Sequence, residues 1–520
     1  MEKSRDFTLI LASGIGQRLR PLTDKTHKAL IPINGIPNLC RTVEMANEAG
    51  VTHHFIITLE SELQNFEKSF SEFNNVTVLS LRDEYIRGKN NSVSLESLIS
   101  QSFILDLIDE DSNVFIIDSD TYLIRNIFKE KTTETQYLTQ YRENEWVLIP
   151  DSNRENVCRV EKSSTGYAMS GISVWKMKQL KQLYKDLQSR KSDDLYYDDV
   201  IIEDEDLLTS LRYIEREQFM LEYDSVSDLL SQGMMTPDEI ARFLSDDNKA
   251  VSLKSMTNSS FLINYNGQKV VCRIEGKGVE FLDRAQEKLI TDFVSTELQI
   301  SPMSLFVNDI KFTKFIENSG ALSKHHILTK SDIYLKFFET LSVLHDAYIP
   351  DKVKFIDLVS EVREYEKIVG FENSTVWSKD ETEFFVKMIQ ENENDSASIV
   401  HRDLVTANIL IDRDLNCIKL IDWEYSGVLS VYWDLGCFAS EVELEFGIPR
   451  TEIFEDFLCF YSCRRVEDLS VQKMNLWSCI VDFVWSKWAE AKTAKGEDYR
   501  DYAKLRHDNA IKNMGGSFNG

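Results

Sequence analysis

At 520 residues the chain is too long for one ordinary hydrophobic core, so two or three domains are expected. Hydrophobic residues make up 42% of it, and only 8 prolines and 20 glycines argue against long disordered linkers. The formal charge of −27 argues against a nucleic-acid partner, because a phosphate backbone is held by basic stripes.

The first residues lead straight into a strand rather than into the apolar core of a signal peptide. That strand, Phe7 to Ala12, runs into Ser13-Gly14-Ile15-Gly16-Gln17-Arg18 and on to Lys28. Glycines directly after a strand let backbone N–H groups approach a phosphate, and the basic residues that follow neutralise it. Ser13, Gly14 and Gly16 are therefore candidate nucleotide-binding residues, and Arg18 and Lys28 candidate catalytic cations. A plain turn would explain two glycines equally well. The composite G-x-G-x-R, then Pro21 and Thr23, then a lysine five residues further on, is more specific. It resembles the signature of nucleotidyltransferases that make sugar nucleotides and CDP-alcohols, although His27 stands where that family usually has proline.

Asn38 to Gly50 reads as a helix and Phe55 to Leu59 as the next strand, an alternation that implies a mostly parallel sheet with ligands at the carboxyl ends of its strands. Asn91 follows the strand-like Val76 to Leu81 and opens an apolar helix, where it fits either a substrate contact or a helix cap. Val114 to Ile117 is a buried strand ending in Asp118 and Asp120, and carboxylates there read as Mg²⁺ ligands or as a solvated turn. Trp146, Tyr196 and Tyr197 precede Asp198 and Asp199. An aromatic face beside a carboxylate can hold a quaternary ammonium, though such aromatics are more often core. The blocks YRENEW, SGISVW, LYYDD and EYDSVSD occur in an order similar to that of bacterial phosphocholine cytidylyltransferases, over about residues 7 to 230. That resemblance implies a Rossmann-like α/β fold, substrate contacts at Trp146, Tyr197 and Asp198, and a second metal-binding carboxylate at Asp224. A Gly-Met-Met-Thr-Pro break before the helix Pro237 to Leu244 places the boundary near 245. A nucleotidyltransferase domain is thus expected over 1–245 and a second domain over 246–520.

In the second half, Lys254-Ser255-Met256-Thr257-Asn258-Ser259 resembles the phosphate loop of choline kinases, with Ser255 replacing the usual glycine. Thr257 and Asn258 are the implied nucleotide contacts. Arg273, on the strand Val270 to Ile274, would serve where protein kinases use lysine, with Glu287 on the next helix as its ion-pair partner. The stretch IVHRDLVTANILIDRDLNCIKLIDWE carries H-x-D-x-x-x-x-N followed by an apolar strand and Asp422. ATP-dependent phosphoryl transfer needs one carboxylate to take the acceptor hydroxyl's proton, and an amide and a second carboxylate to hold Mg²⁺. Asp403 fits the first role, Asn408 and Asp422 the second. The wider match, LIDWEYSGVLSVYWDLGCFASE, resembles choline and ethanolamine kinases, and this implies an α+β protein-kinase-like fold. Trp485 and Trp488, three apart, share a helix face. Such stripes are usually core, but WSKW followed by DYRDYA resembles the aromatic cage of choline kinases. The resemblance assigns Asp434, Glu441, Trp485, Trp488 and Tyr502 to substrate binding.

Together these features point to a bifunctional enzyme that phosphorylates choline with ATP and then transfers CMP from CTP to phosphocholine. Mg²⁺ is the expected cofactor, since an acidic chain needs it to hold nucleotides. The expected partners are small molecules, with no nucleic acid and no membrane span, and a homo-oligomer is left open. Scattered cysteines without a C-x-x-C pair suggest reduced thiols in the cytoplasm. Two alternatives stay open: the same chemistry on ethanolamine or an aminophosphonate, and one domain serving as a non-catalytic binding module.

Overall fold

Phe7–Ala12 is buried along its whole length, as a continuous apolar run must be when a parallel sheet is covered on both faces. The computed structural model describes residues 6–82, 91–107, 109–130, 134–190, 195–253, 259–275, 282–370, 374–392, 397–461 and 469–515. Within it the chain divides into two compact units, Met1–Ala250 with Val307–Asp309, and Val251–Phe306 with Ile310–Gly520.

The first unit is built on a six-stranded sheet in the order Val76–Leu81, His53–Leu59, Phe7–Ala12, Val114–Asp118, Val157–Trp175, Gln136–Pro150. The first four strands run parallel, with Leu9 opposite Phe55 on one side and Ile116 on the other. The last two form a long antiparallel hairpin with a bulge at Val147. Helix Asn38–Ala49 buries Leu39, Val43 and Ala46 against one face and ends at Gly50, whose φ of 91° is the left-handed conformation glycine tolerates. Leu95, Leu98, Leu180 and Leu183 close the other face. The strands Phe7–Ala12 and Val114–Asp118 thus deliver their carboxyl ends, and the residues just beyond, to one edge of the sheet.

The second unit opens with a five-stranded sheet ordered Val251–Leu253, Ser259–Tyr265, Gln268–Ile274, Ile310–Lys314, Ser304–Val307. Arg273 lies cross-strand from Lys311. Helices dominate the remainder, and helix Val471–Ala494 is buried continuously from Trp477 to Lys492. The charged residues it buries there, Asp482, Lys487, Glu490 and Lys492, each have ion-pair partners, as buried charges require. Gly436 lets helix Tyr432–Phe446 approach it closely, since a Cβ there would stand 2.6 Å from the Ser478 nitrogen. No helix among the described residues is long and apolar enough to cross a membrane.

Asp434, expected at the substrate, is instead fully buried, and its place in helix Tyr432–Phe446 turns it toward the chain at Val400–Asp403. Its carboxylate accepts from the His401 and Arg402 amides, both at 2.8 Å, and faces His345 Nε2 at 2.9 Å. Both oxygens are therefore committed to protein groups, and the residue fixes a loop rather than a ligand. That anchoring answers a local need. Arg402 has a φ of 70°, a conformation that non-glycine residues keep only when their surroundings over-determine it. Trp433 Nε1 donates to the Arg402 carbonyl at 3.0 Å, and Glu361 grips its guanidinium at 3.1 and 3.2 Å. Asp434→Ala should therefore cost the second unit several kcal/mol, because it leaves the buried His401 and Arg402 amides unsatisfied at about 1–3 kcal/mol each. The midpoint of urea unfolding of that unit checks this, and an unshifted midpoint would contradict it.

Candidate active sites

In the first unit the loop after Phe7–Ala12 wraps around one lysine. A Cβ on Gly14 would meet the Lys28 Cε at 3.1 Å, and one on Gly16, where φ is 66°, would meet Lys28 Cβ at 3.1 Å. The two glycines therefore let the Lys28 side chain lie across the loop. Lys28 Nζ donates to Asp120 Oδ2 at 2.5 Å. Burial opposes charge on both partners, yet their attraction wins, so the Lys28 ammonium is raised and the Asp120 carboxyl lowered from their ordinary values. Tyr223, fully buried, holds the backbone here by donating to the Lys28 carbonyl at 3.1 Å while accepting from Asn38 at 3.0 Å. The next residue, Asp224, receives Arg18 at 2.7 Å, with the Arg18 side chain 73% exposed. Ser13 and Ser94 share a hydroxyl contact of 2.6 Å.

The structure thus gathers Gly14, Gly16, Arg18, Lys28, Asp120 and Asp224 at one sheet edge. Burial raises Asp118 well above the usual carboxylate range, with Asp120 and Asp198 adding repulsion. Arg142, absent from the expected set, pairs with Glu222 at 2.8 Å. The expected aromatic face is not assembled as predicted. Tyr197 opens helix Tyr197–Glu203 and is packed into the core with Val200 and Ile201, one helical turn on, so its ring offers no face to a ligand. Trp146 stands 54% exposed on the hairpin, cross-strand from Lys162. Asp198 accepts from the Tyr137 hydroxyl, and burial pushes it up to about 7. The side chain of Asn91 lies outside the described residues.

In the second unit His401 ties the two chemical segments together. Its Nε2 faces the Ile421 carbonyl at 2.8 Å and must donate, which leaves Nδ1 to accept from the Asp403 amide at 3.3 Å. Burial lowers this histidine to about 4, so it stays neutral in that tautomer. Asn408 Nδ2 donates to both the carbonyl and Oδ2 of Asp403, each at 2.9 Å. Burial, then the negative Asp422 and Glu424, push the Asp403 carboxyl up to about 7. A base near working pH is what general-base catalysis favours. Asp422 sits at a φ of 66°, a second strained position.

Across the cavity Arg273 pairs with Glu287, and reaches Asp422 at 3.3 Å and Glu424 at 3.4 Å. Lys311 also reaches Glu287, at 2.9 Å, and Arg284 does so at 2.6 Å. Burial alone would raise the Glu287 carboxyl, but the three cations hold it at about 2. Lys311 was missed in the sequence. Its only signal is a lysine between the apolar Ile310 and Phe312 of the strand Ile310–Lys314, and its partner is 24 residues away. Thr257 and Asn258 lie outside the described residues.

One cavity of about 1160 Å³ contains Arg273, Lys311, Asp403, Asn408 and Asp422, and extends to Glu441, Trp485, Trp488, Tyr499 and Tyr502. Its far end is aromatic. Tyr425, which the sequence did not single out, meets Trp485 edge-on at 5.0 Å. Trp485 meets Trp488 at 5.6 Å, and Trp488 meets Tyr499 at 5.1 Å. Glu441 is already paired with Arg506. Among the described residues no three His, Cys, Asp or Glu side chains cluster closely enough to hold a metal by themselves. A donor set of one or two carboxylates still suits Mg²⁺, which completes its octahedron with water and phosphate oxygens.

Residues 7–154 match the family model for nucleotidyl transferase, and residues 250–456 that for choline/ethanolamine kinase. The choline-phosphate cytidylyltransferase of Streptococcus pneumoniae is 30% identical over 42% of this chain and 93% of its own length. That of Haemophilus influenzae is 31% identical over 38% of this chain and 82% of its own. The LicA protein of Haemophilus influenzae is 24% identical over 53% of this chain and 83% of its own length. The chain therefore belongs to the choline-phosphate cytidylyltransferase family through its first unit, and joins to it a second unit homologous to choline kinases.

Proposed function

We propose that the chain phosphorylates choline with ATP in its second unit and, in its first, transfers CMP from CTP to the resulting phosphocholine. CDP-choline and pyrophosphate are the final products. The observation that carries this reading is one continuous cavity joining Asp403 to an aromatic and acidic chamber. A quaternary ammonium brings no N–H donors, so it is held by ring faces and by charge at a distance. Five rings, Tyr425, Trp485, Trp488, Tyr499 and Tyr502, outnumber the carboxylates of Glu441, Asp498 and Asp501 beside them, which suits it better than a primary ammonium, since that needs hydrogen-bond acceptors.

In the kinase step, Asp403 takes the proton of the choline hydroxyl as its oxygen attacks the γ-phosphorus, and ADP leaves. Arg273 and Lys311, held by Glu287, supply positive charge where the nucleotide phosphates would lie. In the second step a phosphocholine oxygen attacks the α-phosphorus of CTP and pyrophosphate leaves. Lys28 and Arg18 neutralise the triphosphate, and no covalent enzyme intermediate is needed. Mg²⁺, held by Asn408 and Asp422 in one site and by Asp120 and Asp224 in the other, would shield the phosphate charge. The product of one unit is the substrate of the other, which gives a reason for both to share one chain.

Separable active sites make opposite lesions the direct test. Asp403→Asn should lose choline phosphorylation by about 10²- to 10⁴-fold while still converting supplied phosphocholine to CDP-choline. Lys28→Ala should do the reverse, accumulating phosphocholine and forming no CDP-choline. Mass spectrometry of the products reads both, and loss of both activities in either folded variant would contradict two independent sites.

The amine chamber predicts a selective effect on affinity. Trp485→Ala or Trp488→Ala should raise the KM for choline about thirtyfold, the equivalent of about 2 kcal/mol for a desolvated ring face, with the KM for ATP little changed. Steady-state kinetics decide it once the melting temperature is shown to be kept. An unchanged choline KM would make these indoles ordinary core.

A further inference from the structure

Arg506 is not among the residues that line the cavity, yet it touches two side chains that form its amine end. Helix Arg500–Met514 places Tyr502 and Arg506 one turn apart on a single face. From there Nε donates to the Tyr502 hydroxyl at 2.9 Å, Nη2 donates to Glu441, and Nη1 donates to Asp482 at 2.8 Å. The guanidinium is 1% exposed.

Its far side is held as firmly. Asp482, fully buried, also accepts from Ser440 at 2.6 Å, Asn509 at 2.9 Å and Arg450 at 3.2 Å. With its lone pairs taken, it cannot follow Arg506 to a new position. A buried guanidinium is costly, and a packed apolar side chain would join these helices as well. What arginine adds is a planar fork that engages several partners at fixed angles.

We infer that Arg506 is a positioning residue of the amine subsite, one that sets Tyr502 and Glu441 relative to each other and favours an ammonium without N–H donors. The second effect follows from the first. Arg506 occupies one Glu441 oxygen, so fewer acceptors remain for a primary ammonium. The inference deepens the proposed choline phosphorylation and rests on it.

Arg506→Gln and Arg506→Lys test the clamp, with KM values for choline, ethanolamine and ATP, and with choline binding read by tryptophan fluorescence. Turnover of choline by the unmodified chain is measured first and tests the underlying function separately. Arg506→Gln should raise the choline KM and dissociation constant about tenfold, leave the ATP KM in place and narrow the preference for choline over ethanolamine. Arg506→Lys, which keeps the charge but not the fork, should move the same quantities in the same direction by less. It carries the test should Arg506→Gln not fold. A lowered melting temperature with choline affinity and preference intact would overturn the inference, leaving Arg506 a structural residue only. So would choline and ATP KM values rising together.

Discussion

The buried carboxylate of Glu287 gathers Arg273, Arg284 and Lys311, and the nucleotide end of the second unit is built on that knot. A carboxylate this deeply buried would ordinarily be driven neutral, but three cations hold it well below its usual range. The cations are fixed in return. Arg273 is thereby held where it also reaches Asp422 and Glu424, on the strand exit that follows the His401–Asn408 loop. Removing Glu287 would strip Lys311 of that ion pair and leave Arg273 and Arg284 to share Glu424. The cations proposed here to face the nucleotide phosphates are thus positioned by a carboxylate behind them.

The first unit meets the same constraint with a smaller set. Lys28 and Asp120 stabilise each other against burial, and two glycines clear the path of the lysine side chain. Tyr223 pins the backbone on which Lys28 sits. In both units the groups placed for phosphate chemistry are held by opposite charges already in the protein. This is how a chain with a net charge of −27 keeps cations poised for anionic nucleotides.

Much of this was legible in the sequence, for identifiable reasons. Phe7–Ala12 and Val114–Asp118 are short apolar runs, the first leading into Ser13-Gly14 and the second ending in aspartate, which suits covered parallel strands, and the fold followed from their alternation with helices. The family resemblance in each half rested on spacing, which local chemistry fixes. Contacts between distant segments were not legible. Asp434 is one acid in an apolar stretch, and nothing local says whether it faces a cavity or a loop 33 residues away. Tyr197 reads as an aromatic beside a carboxylate, but the helix phase that buries it is set by Val200 and Ile201. Lys311 carries no motif at all, because its meaning lies in a partner on another element.

In the proposed scheme one chain carries out two successive displacements at phosphorus, the first by the choline hydroxyl on ATP and the second by the phosphate of phosphocholine on CTP. A ³¹P NMR time course of the purified protein with choline, ATP, CTP and Mg²⁺ tests it most directly. The two-step scheme predicts a phosphomonoester signal that rises first, then the paired diester signals of CDP-choline growing together with pyrophosphate. Without CTP the reaction should stop at phosphocholine, and without ATP choline should give no product. Diester appearing from choline and CTP alone, or phosphocholine formed but never consumed when CTP is present, would contradict it.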